Sequence, residues 1–208
     1  MQKTHVIIVG GSLVGLSASV FLSHRAIPNI VIEKHTSSSP HPRAMGFTTH
    51  TMEFYRAVGL GDKIPQIQPG FLLRRAKVRS LFGEWLGESE WTPGAKPSAI
   101  PLSPCMGAAI AQDKLEPILR ERAQAFGSHF KLGYHCESVR ESEGGVEVVI
   151  RNRETGDAET LYGQYLIAAD GAGSQIRQSL GIERTGVGHL RTINSVLFHC
   201  PEADVMLS

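Results

Sequence analysis

Neither sign of charge dominates this chain: 21 Lys and Arg face 20 Asp and Glu, for a formal net charge of +1. That balance gives no reason to expect nucleic acid or an anionic membrane surface as partner. Cysteine is scarce as well. Cys105, Cys136 and Cys200 are odd in number, far apart and never in a Cys-x-x-Cys pair, which argues against a disulfide framework or a zinc site. The same usage suits a reducing compartment, so a cytoplasmic location is expected. The nine histidines include no His-x-x-x-His or His-Glu-x-x-His arrangement, and no metal site is expected. There is no internal repeat and no low-complexity tail. Residues 6–23 carry no formal charge, yet three glycines and four serines make that run a poor membrane span.

What the chain does have is a hydrophobic content of 41% over 208 residues, enough to bury a core in one large or two small domains. Its most informative segment is the opening His5-Val-Ile-Ile-Val-Gly-Gly-Ser-Leu-Val-Gly-Leu16, followed by Asn29-Ile-Val-Ile-Glu33. The order predicts a buried strand, a glycine turn, a helix and a second strand ending in a carboxylate, as an ADP-containing cofactor requires. Gly10 permits the sharp turn and Gly15 lets the helix pack close to the strand. The helix N-terminus offers free N–H groups and partial positive charge to a pyrophosphate. Glu33 falls 33 − 10 = 23 positions after the first glycine, near the roughly 20-residue spacing of a ribose-binding acid. One position departs from Gly-x-Gly-x-x-Gly: Ser12 replaces the middle glycine, a change expected to bear on affinity rather than on fold.

Farther along, residues 35–43 are a Ser- and Pro-rich loop, and a helix is expected from about Thr48 to Val58, stopped by Gly59 or Gly61. Ala76 to Ser80 alternates like a strand, and Trp91 to Pro104 reads as a surface excursion. Leu115, Ile118, Leu119, Ala123 and Phe126 repeat at helical spacing. Asp113 with Glu116 resembles a capping box there, and Pro117 belongs in or near the first turn. From Phe130 to Asp170 the pattern is strands in an antiparallel meander, with Val146, Val148 and Ile150 alternating inward. Tyr165 to Asp170 is a further buried strand, Ser174 caps a short helix, and a strand-rich pattern resumes at 192–198.

The glycine loop with Glu33, then Pro42-Arg-Ala44, then Ala169-Asp-Gly-Ala-Gly-Ser-Gln-Ile-Arg177 occur in an order that resembles the N-terminal part of a known family. These are the FAD-dependent aromatic hydroxylases, the para-hydroxybenzoate hydroxylase-like monooxygenases, and the likeness is to the branch acting on phenols and aromatic polyketides. The resemblance implies an α/β, Rossmann-like FAD/NAD(P)-binding fold with an inserted antiparallel β-meander, lacking most of the substrate domain. Residues 1–180 would form the FAD-binding domain, with inserted strands at about 64–107 and 130–162; 181–208 would begin a truncated substrate-binding sheet. Gly10, Ser12, Leu13, Val14 and Gly15 would hold the FAD pyrophosphate, and Glu33 the adenosine ribose. Arg43 would lie near the flavin and its phosphates, Gln112 would touch FAD, and Asp170 would serve FAD and NAD(P)H binding. The plainer alternatives are a solvated loop arginine, a helix-flanking glutamine and a strand-end turn aspartate.

The family's second motif, Gly-Asp-Ala-Ala-His, has no counterpart. Gly61-Asp62 and Gly156-Asp157 are the only Gly-Asp pairs, and neither has its context. The sequence thus reads as the first half of a hydroxylase. The activity implied is NAD(P)H-driven, FAD-dependent hydroxylation of an aromatic, phenolic or polyketide small molecule. No catalytic residue is identified. Two other readings stand beside it: a flavin-free NAD(P)-dependent oxidoreductase, and a truncated remnant that binds FAD weakly. A complementing C-terminal half or a homo-oligomer would be the expected protein partner.

Overall fold

The computed structural model describes residues 2–41, 44–68, 74–80, 83–90, 102–194, 196 and 199–202. Its centre is the run Val6 to Val9, buried at all four positions. A strand buried on both faces is what a parallel sheet requires, and β1 (Gln2–Val9) lies between two parallel neighbours, β2 (Asn29–Glu33) and β10 (Ala158–Ala168). Helix α1 (Leu13–His24) connects β1 to β2. The main sheet runs β7-β2-β1-β10-β9-β8, with β7 (His129–Leu132), β8 (Tyr134–Ser142) and β9 (Gly145–Asn152). The first four strands are parallel; β9 and β8 add antiparallel beyond β10.

The expected meander is therefore β8–β9–β10, and its last strand continues into the parallel sheet. Residues Phe130–Leu132 are not part of it: β7 pairs parallel with β2, at the opposite edge. Alternation decides which layer each residue joins. Val6, Ile8 and Val31 pack with Ala18 and Leu22 of α1. Ile7, Val9, Ile30 and Ile32 share a core with Val146, Val148 and Ile150 of β9 and with Ile176. The last belongs to α4 (Gln175–Ser179), whose cap is Ser174, as expected: its hydroxyl accepts from Arg177 N–H.

Helix α2 (Thr49–Ala57) is capped by Thr48 and followed by Gly59 at φ +75°, close to the sequence expectation. Its Met52 and Tyr55 pack with Leu16 and Val20 of α1 and with Leu115, Leu119 and Ala123 of α3 (Gln112–Ala125). Two small sheets complete the described structure: β3 (Gly46–Phe47) with β6 (Ala108–Ala109), and β4 (Arg74–Val78) with β5 (Trp85–Glu90). The strand foreseen at Ala76–Ser80 thus sits slightly earlier, and Ser80 joins a turn with Gly83. Most of the excursion foreseen at Trp91–Pro104 lies outside the described residues.

Two expectations need correction. The α3 N-cap is Ala111, with no side-chain cap, because Glu116 is buried and bonded elsewhere, so there is no capping box. The helix begins one residue before Asp113 and Pro117 falls just past its first turn, at the sixth residue, in keeping with the expectation; its missing N–H leaves the Asp113 carbonyl without the usual helical donor. Finally, positions 192–194 and 196 form no strand, and Ile193 and Val196 are exposed. An alternating pattern makes a strand only beside a partner edge, and the described residues supply none there. Among the described residues, no helix is long and apolar enough to cross a membrane.

Candidate functional site

The carboxyl ends of β1, β2 and β10 lie side by side, the place where open parallel sheets receive ligands. Each strand delivers one expected feature there. After β1 the chain turns at Gly10, whose φ of +108° suits glycine alone. A Cβ at Gly10 would stand 2.2 Å from the Ala169 carbonyl oxygen at the end of β10. A Cβ at Gly15 would stand 1.8 Å from the Gly10 carbonyl oxygen. The two glycines therefore set how closely loop, strand and α1 approach. Gly10 N–H donates to Ile32 O at 2.8 Å, tying the turn to β2.

Helix α1 begins beyond this turn with Ser12 as N-cap and no side-chain cap hydrogen bond. Its first intrahelical bond runs from Leu16 N–H to Ser12 O, so the Leu13, Val14 and Gly15 N–H groups lie at the open end of the helix. Leu13 packs its side chain on the core and contributes only backbone to the site. Val14 is 70% exposed. At the end of β2, Glu33 accepts from Gly11 N–H at 2.6 Å and from His35 N–H at 2.9 Å, one on each oxygen. An ionised carboxylate has about four acceptor positions, so both oxygens keep capacity for ribose hydroxyls while the glycine loop holds the group in place.

Asp170 follows β10, and its backbone N would be 3.1 Å from a Gly10 Cβ. Its Oδ2 accepts from Ile176 N–H at 3.3 Å. Its Oδ1 is buried and, among the described residues, unpartnered. A buried carboxylate oxygen without a donor is costly, and a bound group offering a hydroxyl or N–H would relieve it. Beside it, burial and then the charges of Asp170 and Glu137 push the Cys136 thiol up to about 11. The shift favours the neutral thiol, and Cys136, half-buried, packs on the core.

Gln112 stands at the first turn of α3, buried. Its backbone N–H donates to Ala44 O, its Oε1 accepts from Ala44 N–H, and its Nε2 donates to Ser12 Oγ and Glu116 Oε1. It thus joins α3, the segment after the Ser/Pro loop and the glycine turn. Arg43 lies outside the described residues. Sequence reasoning missed Glu116, read as a cap; its signal was a carboxylate placed four residues after Gln112, beside the buried Leu115 and Leu119. Among the described residues no group of His, Cys, Asp or Glu could hold a metal ion.

The fold and this strand-end constellation define a Rossmann-like dinucleotide-binding protein, and the residues fit an FAD: an open helix N-terminus, an acid with spare acceptors and an orphaned buried oxygen share one sheet end. A family model described as an FAD binding domain matches residues 3–206. The chain belongs to that family of FAD binding domains. It is 36% identical over 194 residues to a 4-methyl-5-nitrocatechol 5-monooxygenase of Burkholderia sp, covering 93% of this chain and 35% of that protein. It is 35% identical over 221 residues to the tetracenomycin A2 monooxygenase-dioxygenase of Streptomyces glaucescens, covering 99% and 39%. Among solved structures, a ternary complex of aklavinone-11 hydroxylase with FAD and aklavinone superposes with a TM-score of 0.75 at 31% identity. That match covers 91% of this chain and 37% of the hydroxylase. The chain thus spans little more than a third of the length of these relatives.

Proposed function

We propose that this chain is the FAD-holding part of a flavin-dependent monooxygenase that hydroxylates an aromatic small molecule, with NAD(P)H as reductant. The observation that carries the reading is the meeting of Gly10, the α1 N-terminus, Glu33 and the orphaned Asp170 Oδ1 at one end of the sheet. Relatives named for nitrocatechol and tetracenomycin substrates support the aromatic class. The redox and dioxygen chemistry of such an enzyme belongs to the flavin. This chain's residues bind and orient. The N–H groups of Leu13, Val14 and Gly15 would face the pyrophosphate, with Arg43 nearby; Glu33 would accept from the ribose. Asp170 Oδ1 would accept from a further hydroxyl or N–H of the cofactor, and Gln112 would hold the glycine turn in register with α3.

Residues 1–180 would make up this FAD-holding unit. Val187, Leu190, Ile193 and Val196 lie exposed beyond it, which supports a need for further chain or a second copy before substrate is enclosed. The test is a visible absorption titration of the purified chain with FAD, then with NADH and NADPH without oxygen. Retained flavin that is bleached by either nicotinamide upholds the proposal. Retained flavin that neither nicotinamide bleaches limits the chain to cofactor holding, and a chain that leaves the FAD spectrum unchanged overturns the reading.

A further inference from the structure

Ser12 occupies the N-cap of α1 without capping it. A serine in that position ordinarily accepts from the second or third N–H of its own helix, the donors an anion would also use. Here its hydroxyl is engaged on the other side. Ser12 Oγ donates to Glu116 Oε1 at 2.6 Å and accepts from Gln112 Nε2 at 2.9 Å, while Gln112 Nε2 also donates to Glu116 Oε1 at 2.8 Å. The three side chains close a triangle between α1 and α3, and Glu116 is 3% exposed within it. A carboxylate at that depth is tolerated only when it is partnered, and Ser12 and Gln112 are the partners.

We propose that Glu116 is a positioning residue for the anion site. As the acceptor for the Ser12 hydroxyl, it turns Oγ toward α3 and leaves the first-turn N–H groups of α1 open to a pyrophosphate. Without that acceptor, Ser12 Oγ is free to rotate and cap its own helix, competing with the ligand for the same donors. The arrangement explains how a serine is compatible with the middle position of the glycine fingerprint. The ligand named here rests on the FAD reading above; the geometry does not.

The test uses the full chain with Glu116→Ala, Glu116→Gln, and Glu116→Ala combined with Ser12→Gly. Two quantities are read: FAD affinity by quenching of flavin fluorescence, and amide hydrogen exchange at Val14 and Gly15 in FAD-free protein. Glu116→Ala should slow exchange at one of these amides and weaken FAD binding about five- to tenfold, the worth of one cap hydrogen bond. Glu116→Gln, which keeps an acceptor oxygen, should retain most of the affinity. Adding Ser12→Gly to Glu116→Ala should bring affinity back to within about threefold of the unmodified chain and restore fast exchange. A merely structural role for Glu116 gives no such rescue. Should Glu116→Ala fail to fold, Glu116→Met fills the volume without an acceptor and carries the same expectation. Unchanged exchange on loss of the carboxylate, or an FAD defect that Ser12→Gly does not relieve, overturns the inference. If no variant binds FAD but exchange responds as described, the FAD reading fails and the role of Glu116 in freeing the helix end stands.

Discussion

Gly10 and Gly15 act through the side chains they lack. With a Cβ at Gly15 only 1.8 Å from the Gly10 carbonyl oxygen, no small adjustment removes the clash, because the obstacle is backbone. Gly15→Ala should therefore cost about 3 kcal/mol or more of stability, read as a lowered urea midpoint, and it should displace the loop that would meet the phosphates. An alanine variant of unchanged stability would contradict the packing account. Cys136 offers a second test at this scale. Burial, then the charges of Asp170 and Glu137, raises its thiol from 9.0 to about 11, so the fold favours the neutral form. The resulting stabilisation is complete below the unfolded value and fades as pH rises from about 9 toward about 11. Iodoacetamide at pH 8 should leave Cys136 unlabelled in the folded chain while labelling it readily in urea, with the sites located by peptide mass mapping. Rapid labelling of the folded protein would mean that Cys136 is neither buried nor raised.

At the scale of elements, α1 and β2 are joined by side chains as well as by chain connectivity. Asn29 Oδ1 accepts from Ser19 and Ser128, at 2.8 and 2.7 Å, and Asn29 Nδ2 donates to Ser23 Oγ at 2.8 Å. This buried cluster ties α1, the start of β2 and the turn before β7 together at the end of the sheet away from the glycine turn. Asn29→Ala leaves three buried hydroxyls short of partners, which should cost about 2–3 kcal/mol in a denaturant melt; a loss below about 0.5 kcal/mol would show that the hydroxyls re-pair among themselves. The glycine turn, α1, β2 and the Ser174 cap were legible in the sequence because each depends on local chemistry: a positive φ, an apolar run, a hydroxyl before a helix. Glu116 was not. Its identity as a buried partner of Ser12 depends on how α3 docks against α1, and a spacing of three from Asp113 imitates a local cap. Positions 192–194 and 196, described without a strand, follow the same logic, since alternation signals a strand only where another edge accepts its hydrogen bonds.

The whole molecule places a parallel sheet between two unlike layers. On one face lies α1, with α2 and α3 packed beside it; on the other, alternate residues of β1, β2 and β9, all strands of the one sheet, share a core with Ile176 of α4. That sandwich fixes the strand ends whose loops form the site, and it accounts for why the resemblance read from scattered motifs coincides with a family match over residues 3–206. The relatives are longer, and Val187, Leu190, Ile193 and Val196 are exposed, which is what the proposal of further protein around a substrate rests on. Holding FAD is the narrower task, and Gly10, Ser12, Glu33, Gln112 and Asp170 lie at the strand ends or on the helices packed beside them. The central claim is tested most directly by calorimetric titration of FAD into the chain and into a Glu33→Ala, Asp170→Asn double variant. The account predicts one FAD per chain, with affinity lowered at least about tenfold in the variant and its thermal unfolding in the absence of FAD little changed. No measurable binding to the unmodified chain, or equal affinity in the two, would contradict it.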